Sequence, residues 1–570
     1  MKRLNPGLLV VLAAAAAVHL TVALLDFPTL ARNGFLYDDS FYDFQIARHI
    51  AHGDGATFDG THATNGFQPL YVAMLVPIYL MSGSSDTAPI HAALVLSALL
   101  SVASAYLLYR ILARRVSDLV AIIAAGVWSF SPIVMRQTAN GLETALAAFM
   151  LAATTLYYLE RVRSEDGPRR RFAVLGALAG ASILARADLA FLVLAMCLDY
   201  LLVQRARRTG YRWRGNLAVS AGICALLCLP WMGYGMMAVG SPFPESGRAT
   251  RFLALAYAPF FGLSSHSMAA DGPTASFVLT HVARSIESLK VVPMFHPFFR
   301  ATKKIGERVG EPQALEAFAD AAGVVLLMLL AVWWVRRRRT GAGAPCREFE
   351  FLLLFSGMMV AAYSTLVFGV FFFLRYYYPL YFIGMIVAAI GLDDAIGWVR
   401  ARSFHTRRVA LIASGAYAVA ILFMGYTSAF RSTPVYRFYD VARWIRAHTD
   451  SSETIGVFQS GTIGYLSGRH VINLDGKVNR EAFDALRAGH LEAYVESAGI
   501  DLVMDSASVI DLFLGPWSDA DRRHMESERV FTGGEYGVPG WVGYRISPPR
   551  VFNAQGSIGA ALRRGPDRGR

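Results

Sequence analysis

The sequence predicts a polytopic α-helical membrane protein that carries a small external α/β domain at its C-terminal end. Three observations lead there. Of 570 residues, 55% are hydrophobic and only 17% charged, whereas soluble domains run at about 45–50% and about 25%. The apolar residues gather into runs near the ~20 residues that cross a bilayer. After Arg431 the pattern changes to short strand-like and helix-like segments in alternation. The mean hydropathy of +0.39 agrees. Together these exclude a soluble enzyme, a disordered scaffold and a secreted disulfide framework. The four cysteines, Cys197, Cys224, Cys228 and Cys346, frame no loop.

In chain order the apolar runs are Leu8–Leu25, Pro89–Leu108, Leu119–Met135, Leu142–Leu159, Phe172–Leu184 and Leu189–Val203. Leu217–Val239, Ala319–Val335, Phe351–Leu374, Tyr376–Ile390 and Val409–Phe430 follow. The first has Lys2 and Arg3 before it, but it is long and lacks a strong cleavage signal, so it reads as an uncleaved anchor. Pro69–Met81 is too short for an easy crossing and reads as interfacial or re-entrant. With that segment kept out of the bilayer, five arginine clusters fall on one side: Arg110–Arg115, Arg161–Arg171, Arg205–Arg214, Arg336–Arg339 and Arg400–Arg408. Cytoplasmic loops carry such an excess, so the N-terminus is placed inside and the C-terminal domain outside. Phe252–Pro297 holds an external interfacial helix or one more hairpin, giving about eleven to thirteen spans. The net charge of +12 then sets orientation and implies no nucleic-acid partner.

The expected organisation is a membrane domain over 1–430, an external α/β domain over 431–554 and a disordered Arg/Gly-rich tail over 555–570. Within the external domain Tyr436–Thr449 reads as an amphipathic helix. Thr454–Phe458, His470–Leu474 and Asp501–Met504 read as strands, and Glu481–Ala488 and Val509–Leu514 as helices.

The outer face holds the chemistry. The first outer loop contains Leu36-Tyr37-Asp38-Asp39-Ser40-Phe41-Tyr42-Asp43. Adjacent carboxylates at a membrane surface are solvated, metal-bound or used. A carboxylate within reach of a hydroxyl can serve as its general base. On spacing alone, capping of the following helix is the commoner role for Asp38 and Asp39. Glu143, in Asn140-Gly141-Leu142-Glu143-Thr144, sits at the outer end of a span. The helix dipole favours it there, and acids at a membrane boundary also mark function. The outer cations are Arg186, two residues from Asp188, then Arg248 and Arg251, then Arg375 before Tyr376-Tyr377-Tyr378. The planar fork of arginine suits phosphate, although Arg375 also fits an interfacial anchor among belt tyrosines and the other two fit solvated loop charges. His49 and His52, three apart on one helix, are with Asp39 the candidate ligands of a divalent metal ion, the one cofactor candidate. Histidines at this spacing are common without metal. No P-loop, dinucleotide fingerprint, Ser-His-Asp signature or nucleotide-sugar site stands out.

The order of these segments resembles a known group. An Asp-Asp pair is followed by "IARHIAHGDGATFDG", "TNGFQPL", "NGLET", "LARAD", "GSPFPESG", "RYYYPL" and "GYLSGRHVINLDGKVN". The pattern is similar to bacterial members of the GT-C superfamily of integral membrane glycosyltransferases. That superfamily includes protein O-mannosyltransferases, lipid A aminoarabinose transferases and mycobacterial arabinofuranosyltransferases. The resemblance implies transfer of a sugar from a polyprenyl-phosphate donor to a cell-envelope acceptor (glycan, lipid or protein) on the outer face of the bacterial plasma membrane. It places the base on Asp38 or Asp39, favouring Asp38, and the second-loop acid on Glu143. Arg248, Arg251 and Arg375 become candidates for the donor phosphate, and Tyr42, Asn65, Gln68, Arg186 and Asp188 for substrate. Gln68 departs from the histidine expected in its motif. Direct displacement inverts the anomeric centre. A flippase of lipid-linked saccharide and a non-catalytic membrane partner are the alternatives. No inverted repeat supports the first, and the paired carboxylates argue against the second.

Overall fold

The computed structural model describes residues 5–163, 167–207, 212–256, 275–288, 292–300, 302, 312–339, 347–368, 373–402, 437–514, 529–536 and 538–546, with isolated positions between 408 and 423. Among them, five helices are long and apolar enough to cross a bilayer: Pro6–Ala23, Ala88–Leu112, Trp213–Val239, Glu350–Val367 and Tyr378–Arg400. Asp118–Phe130 and Pro132–Thr138 make a sixth when taken as one span bent by 58°. The bend has a local cause. Pro132 cannot donate into the preceding turn, and Ser131 before it adopts extended geometry.

Thr144–Tyr157, Arg169–Ala185, Ala190–Arg207 and Pro312–Arg339 are further apolar helices that are shorter or carry terminal charges. The expectation is about eleven to thirteen spans, several of them short; among the described residues five, or six with the bent pair, have the length and apolarity of a full crossing. Val409–Phe430 and the tail at 555–570 lie mostly or wholly outside them. Of Phe252–Pro297, the helix Ala275–Ser288 is described. Pro69–Met81 forms a 13-residue apolar helix with the bounds read from sequence.

At one end of the bundle the arginine clusters meet acids: Arg110 with Glu160 at 3.0 Å, Arg114 with Glu348 at 2.8 Å, and Arg163 with Asp199 at 2.7 Å. The segments read from sequence as the first outer loop and the external domain lie together at the other end. That domain is built on a five-stranded sheet of β1 (Thr454–Val457), β2 (His470–Asn473), β3 (Leu502–Ser506), β4 (Arg529–Thr532) and β5 (Trp541–Arg545), in the order β2-β1-β3-β5-β4. β1 is parallel to β2 and β3, and β5 is antiparallel to β3 and β4. The parallel strands are buried almost throughout, as their continuous apolar character requires.

The domain is not a tethered bead. Its buried Ile455, Val457, Leu502 and Met504 belong to the same core as Phe41, Phe44 and Phe58 of the first loop. Tyr465, on the helix Gly461–Leu466, packs its ring 5.6 Å from that of Phe41 and accepts a 2.9 Å hydrogen bond from the Tyr79 hydroxyl. Gly464 on the same helix has no room for a Cβ, which would overlap the Phe58 ring. Gly464→Val is therefore expected to overpack this seam and destabilise it by about 1–3 kcal/mol. A lower melting temperature and faster proteolysis of the external domain, at unchanged membrane insertion, are the measurements that check this.

Candidate active site

The site forms where the first outer loop meets the segment before Tyr378–Arg400 and the external domain. Tyr37 donates its backbone N–H to the Asn140 carbonyl at 3.2 Å, pinning the first loop to the second. The chain then enters the helix Ser40–His52 with Asp39 at the cap position, yet the Asp39 side chain makes no capping hydrogen bond. Its Oδ2 accepts from Arg375 Nη1 at 2.7 Å, and its Oδ1 lies 3.2 Å from Lys477 Nζ. Lys477 also lies 3.3 Å from Asp475 Oδ2. Asp39 keeps 19% side-chain exposure, so a substrate can reach it.

Asp38 does cap a helix, though not the one it precedes. Its Oδ1 accepts from the Thr462 N–H at 2.7 Å and its Oδ2 from the Gly461 N–H at 3.2 Å. The capped helix, Gly461–Leu466, lies in the external domain.

The two neighbours differ electrostatically. Desolvation raises the Asp38 carboxyl to about 7, with the Thr462 N–H opposing it and the Asp39 charge adding to it. Desolvation alone would also raise Asp39. The Lys477 ammonium and the Arg375 guanidinium outweigh it and hold that carboxyl well below the usual carboxylate range. Asp43, one helical turn beyond Asp39, is buried beside Glu143, and both effects push it well above the ordinary value. Burial would lower Lys477, but Asp39 and Asp475 reverse this and keep the ammonium charged.

Arg186 and Asp188 brace the cation from behind. Arg186 Nη2 lies 2.9 Å from Asp188 Oδ2, and its Nε lies 3.9 Å from Glu143. It also donates to the carbonyls of Arg375 at 3.0 Å and Tyr376 at 3.1 Å. The Tyr363 hydroxyl completes the set with a 2.6 Å bond to Asp188.

Other expected residues lie elsewhere or do other work. Arg248 sits 5.7 Å over the Phe483 ring and Arg251 5.5 Å over that of Phe368, so neither joins Arg375 on the acidic pair. Asn65 is a tether: its Nδ2 donates to the carbonyls of Ser241 and Phe243, and its Oδ1 accepts from the Glu245 N–H at 2.9 Å. The Tyr42 hydroxyl accepts from the Ser460 N–H and from Asn473 Nδ2. Gln68 is the extended residue before Pro69 and makes no side-chain cap.

The metal-ligand trio does not assemble. His49 is about 15 Å along the helix axis from Asp39, at 1.5 Å per residue. Its ring is engaged by Gln45 and the Thr57 carbonyl, and His52 by the Arg48 carbonyl. Among the described residues no three His, Cys, Asp or Glu side chains are placed to hold an ion. Sequence reading passed over Asp43, Asp475 and Lys477. Their signals were the four-residue step from Asp39 and the two charges flanking a glycine straight after an apolar strand.

Residues 71–234 match a family described as dolichyl-phosphate-mannose-protein mannosyltransferase, and residues 427–556 match a domain of unknown function. No curated protein is significantly similar to the chain. Among solved structures, the oligosaccharyltransferase AglB of Archaeoglobus fulgidus, in complex with an inhibitory peptide and a dolichol-phosphate, superposes with a TM-score of 0.51 at 14% identity. The match spans 88% of this chain and 69% of that one. The same enzyme tethered to an acceptor peptide containing the NVT sequon gives the same values. The likeness to AglB is one of fold, and the family match is confined to residues 71–234.

Because Asp38 caps Gly461–Leu466 through both oxygens, Asp38→Ala should cost about 0.5–2 kcal/mol, whereas Asp38→Asn, which keeps one acceptor oxygen for the shorter bond to Thr462, should lose less. Thermal melts of both variants in detergent, with equal losses counting against the cap, decide this.

Proposed function

We propose that the protein transfers a sugar from a polyprenyl-phosphate donor to a cell-envelope acceptor on the outer face of the bacterial plasma membrane, inverting the anomeric centre, with Asp38 as the base. The observation that carries this reading is the pairing of two neighbours: Asp39 held by ion pairs with Arg375 and Lys477, and Asp38 held by hydrogen bonds from Gly461 and Thr462. The dolichol-phosphate in the AglB structure and the description of the matched family support a lipid-phosphate donor. The one-sided arginine clusters support an N-terminus in the cytoplasm and an external C-terminal domain.

In this reading the acceptor hydroxyl gives its proton to Asp38 as its oxygen attacks the anomeric carbon. The bond from that carbon to the phosphate oxygen breaks, and the lipid phosphate leaves with the electron pair. Arg375, fixed by Asp39 and by the carbonyls that Arg186 holds, supplies a preorganised charge where the phosphate gains negative charge. Asp39 is a poor base because two cations stabilise its ionised form.

The test is a panel of C55 polyprenyl-phosphate sugars (mannose, arabinofuranose, aminoarabinose) given to the full chain in liposomes, with glycosidic product as readout. Movement of labelled lipid across the bilayer without a new glycosidic bond would favour a flippase and overturn the proposal. With the donor that is turned over, Asp38→Asn should lower the rate by about 10²–10⁴-fold, the range of a general base.

The pH profile follows from the raised Asp38 carboxyl. A base works when deprotonated, so the rate should climb through a midpoint at about 7 and fall on the acid side. A profile flat from pH 5.5 to 8 would exclude Asp38 as the base.

A further inference from the structure

The connection from β2 to the helix Arg480–Ala488 is built as a rigid turn. Asn473 Nδ2 donates to the Phe458 carbonyl at 3.1 Å and to Ser460 Oγ at 3.0 Å, and its Oδ1 accepts from the Gly476 N–H at 2.9 Å. Asn479 closes the other end. Its Nδ2 donates to the Asn473 carbonyl at 3.1 Å and to the Tyr494 hydroxyl at 2.8 Å, while its Oδ1 caps the next helix through the Ala482 N–H. Both asparagines are fully buried, so the turn between them is set by satisfied polar groups rather than by solvent.

Asp475 and Lys477 project from that turn. Asp475 Oδ1 accepts the backbone N–H of Lys477 at 3.0 Å, and Oδ2 lies 3.3 Å from its ammonium. Gly66 of the first outer loop abuts the Lys477 carbonyl so closely that a Cβ there would overlap it. A lysine on a surface turn keeps its ammonium in water and its rotamers free. This one is oriented by a neighbouring carboxylate, clamped by another loop and brought to Asp39 Oδ1, while Arg375 takes Oδ2.

We propose that Lys477, carried by the external domain, is a positioning residue of the transferase site. It fixes the Asp39 carboxylate from the side opposite Arg375, so that Asp39 holds Arg375 in place and Asp38 is left to take the acceptor's proton. The proposal deepens the reading above and rests on it. The charged and titratable groups around the pair are Tyr42 and Asp43 on the first-loop helix, Arg375, and Asp475 and Lys477 on the turn. Lys477 is the one cation among them that comes from the external domain. The domain is then part of the site, and undocking it removes half of the positive charge on Asp39.

The experiment uses the full chain in liposomes, with the C55 polyprenyl-phosphate sugar that the wild type turns over, and C55 polyprenyl phosphate as a binding probe. Lys477→Met should lower kcat by about tenfold or more with donor KM and C55 polyprenyl phosphate affinity within about twofold, because a group acting through Asp39 affects turnover and not ground-state binding. Lys477→Arg should recover kcat to within about threefold. Asp475→Asn, which keeps the lysine charge but removes its orienting partner, should lower kcat by about 3–10-fold at unchanged KM, and it serves if Lys477→Met does not fold. Unchanged kcat in Lys477→Met, or in Asp475→Asn, overturns the proposal. Lost C55 polyprenyl phosphate binding with kcat retained also overturns it, since Lys477 would then be a phosphate ligand. An Asp38→Asn control separates the two ideas: undiminished turnover there sinks the base reading, whatever the Lys477 variants show.

Discussion

The Asp39 carboxylate, shared between Arg375 and Lys477, is the interaction on which the outer face depends. The three members of this set come from three distant parts of the chain: the first outer loop, the approach to the helix Tyr378–Arg400, and the external domain. Each group is mostly sheltered from water, and removing one partner of such a set leaves a sheltered charge unpaired at a cost of about 3–5 kcal/mol. The surroundings are arranged to prevent that. Arg186 holds the backbone carbonyls at Arg375 and Tyr376, and Asp188 with Tyr363 holds Arg186.

The external domain answers a second constraint. In open α/β sheets, ligands bind in the crevice outside the carboxyl ends of the parallel strands. Here that edge is already filled. Ser460, beyond the end of β1, and Asn473, the last residue of β2, donate to the Tyr42 hydroxyl. Asp505, at the end of β3, accepts the Phe458 and Gln459 N–H groups. The next helix begins on the Asp38 carboxylate. The first outer loop thus occupies the place a small ligand takes in other sheets of this kind, and the domain's binding edge has become an internal joint.

How much of this could be read from sequence depended on range. Local periodicity was sufficient for Pro69–Met81 and for β1, β2 and β3, whose continuous apolar runs match their burial on both faces. It missed the helix Gly461–Leu466, because a six-residue segment of Gly, Thr, Ile, Tyr and Leu has no amphipathic period and is stabilised by a cap from far away in the chain. It missed β4 and β5, short strands in a Gly-rich region that pair with each other and, through β5, with β3. At the site, Asp38, Asp39 and Arg375 were legible as charges that needed a reason. Lys477 was not, since no spacing rule connects it to Asp39. The helical step from His49 to His52 looked like chemistry, but both rings are held by groups on or next to their own helix.

Adjacent carboxylates usually raise each other's pKa, and the weaker partner loses its charge. Here the Asp39 charge does raise Asp38, and the two titrations part further because the members are stabilised by different means. Asp39 has full cations on both oxygens, so its ionised form is fixed at any physiological pH. Asp38 has hydrogen bonds from Thr462 and the more distant Lys477 charge, which partly offset desolvation and leave its proton affinity near neutrality. Pushing the titrations of two acids apart is how a site assigns one of them to proton transfer and the other to fixed charge. The separation needs cations that cannot swing onto Asp38. Lys477 is restrained by Asp475 and the two asparagines, and Arg375 by the chain that Arg186 grips, so each cation is committed to Asp39 before any substrate arrives. The division of labour within the Asp-Asp pair is therefore set outside the pair, by rigid elements that only the folded chain brings to it.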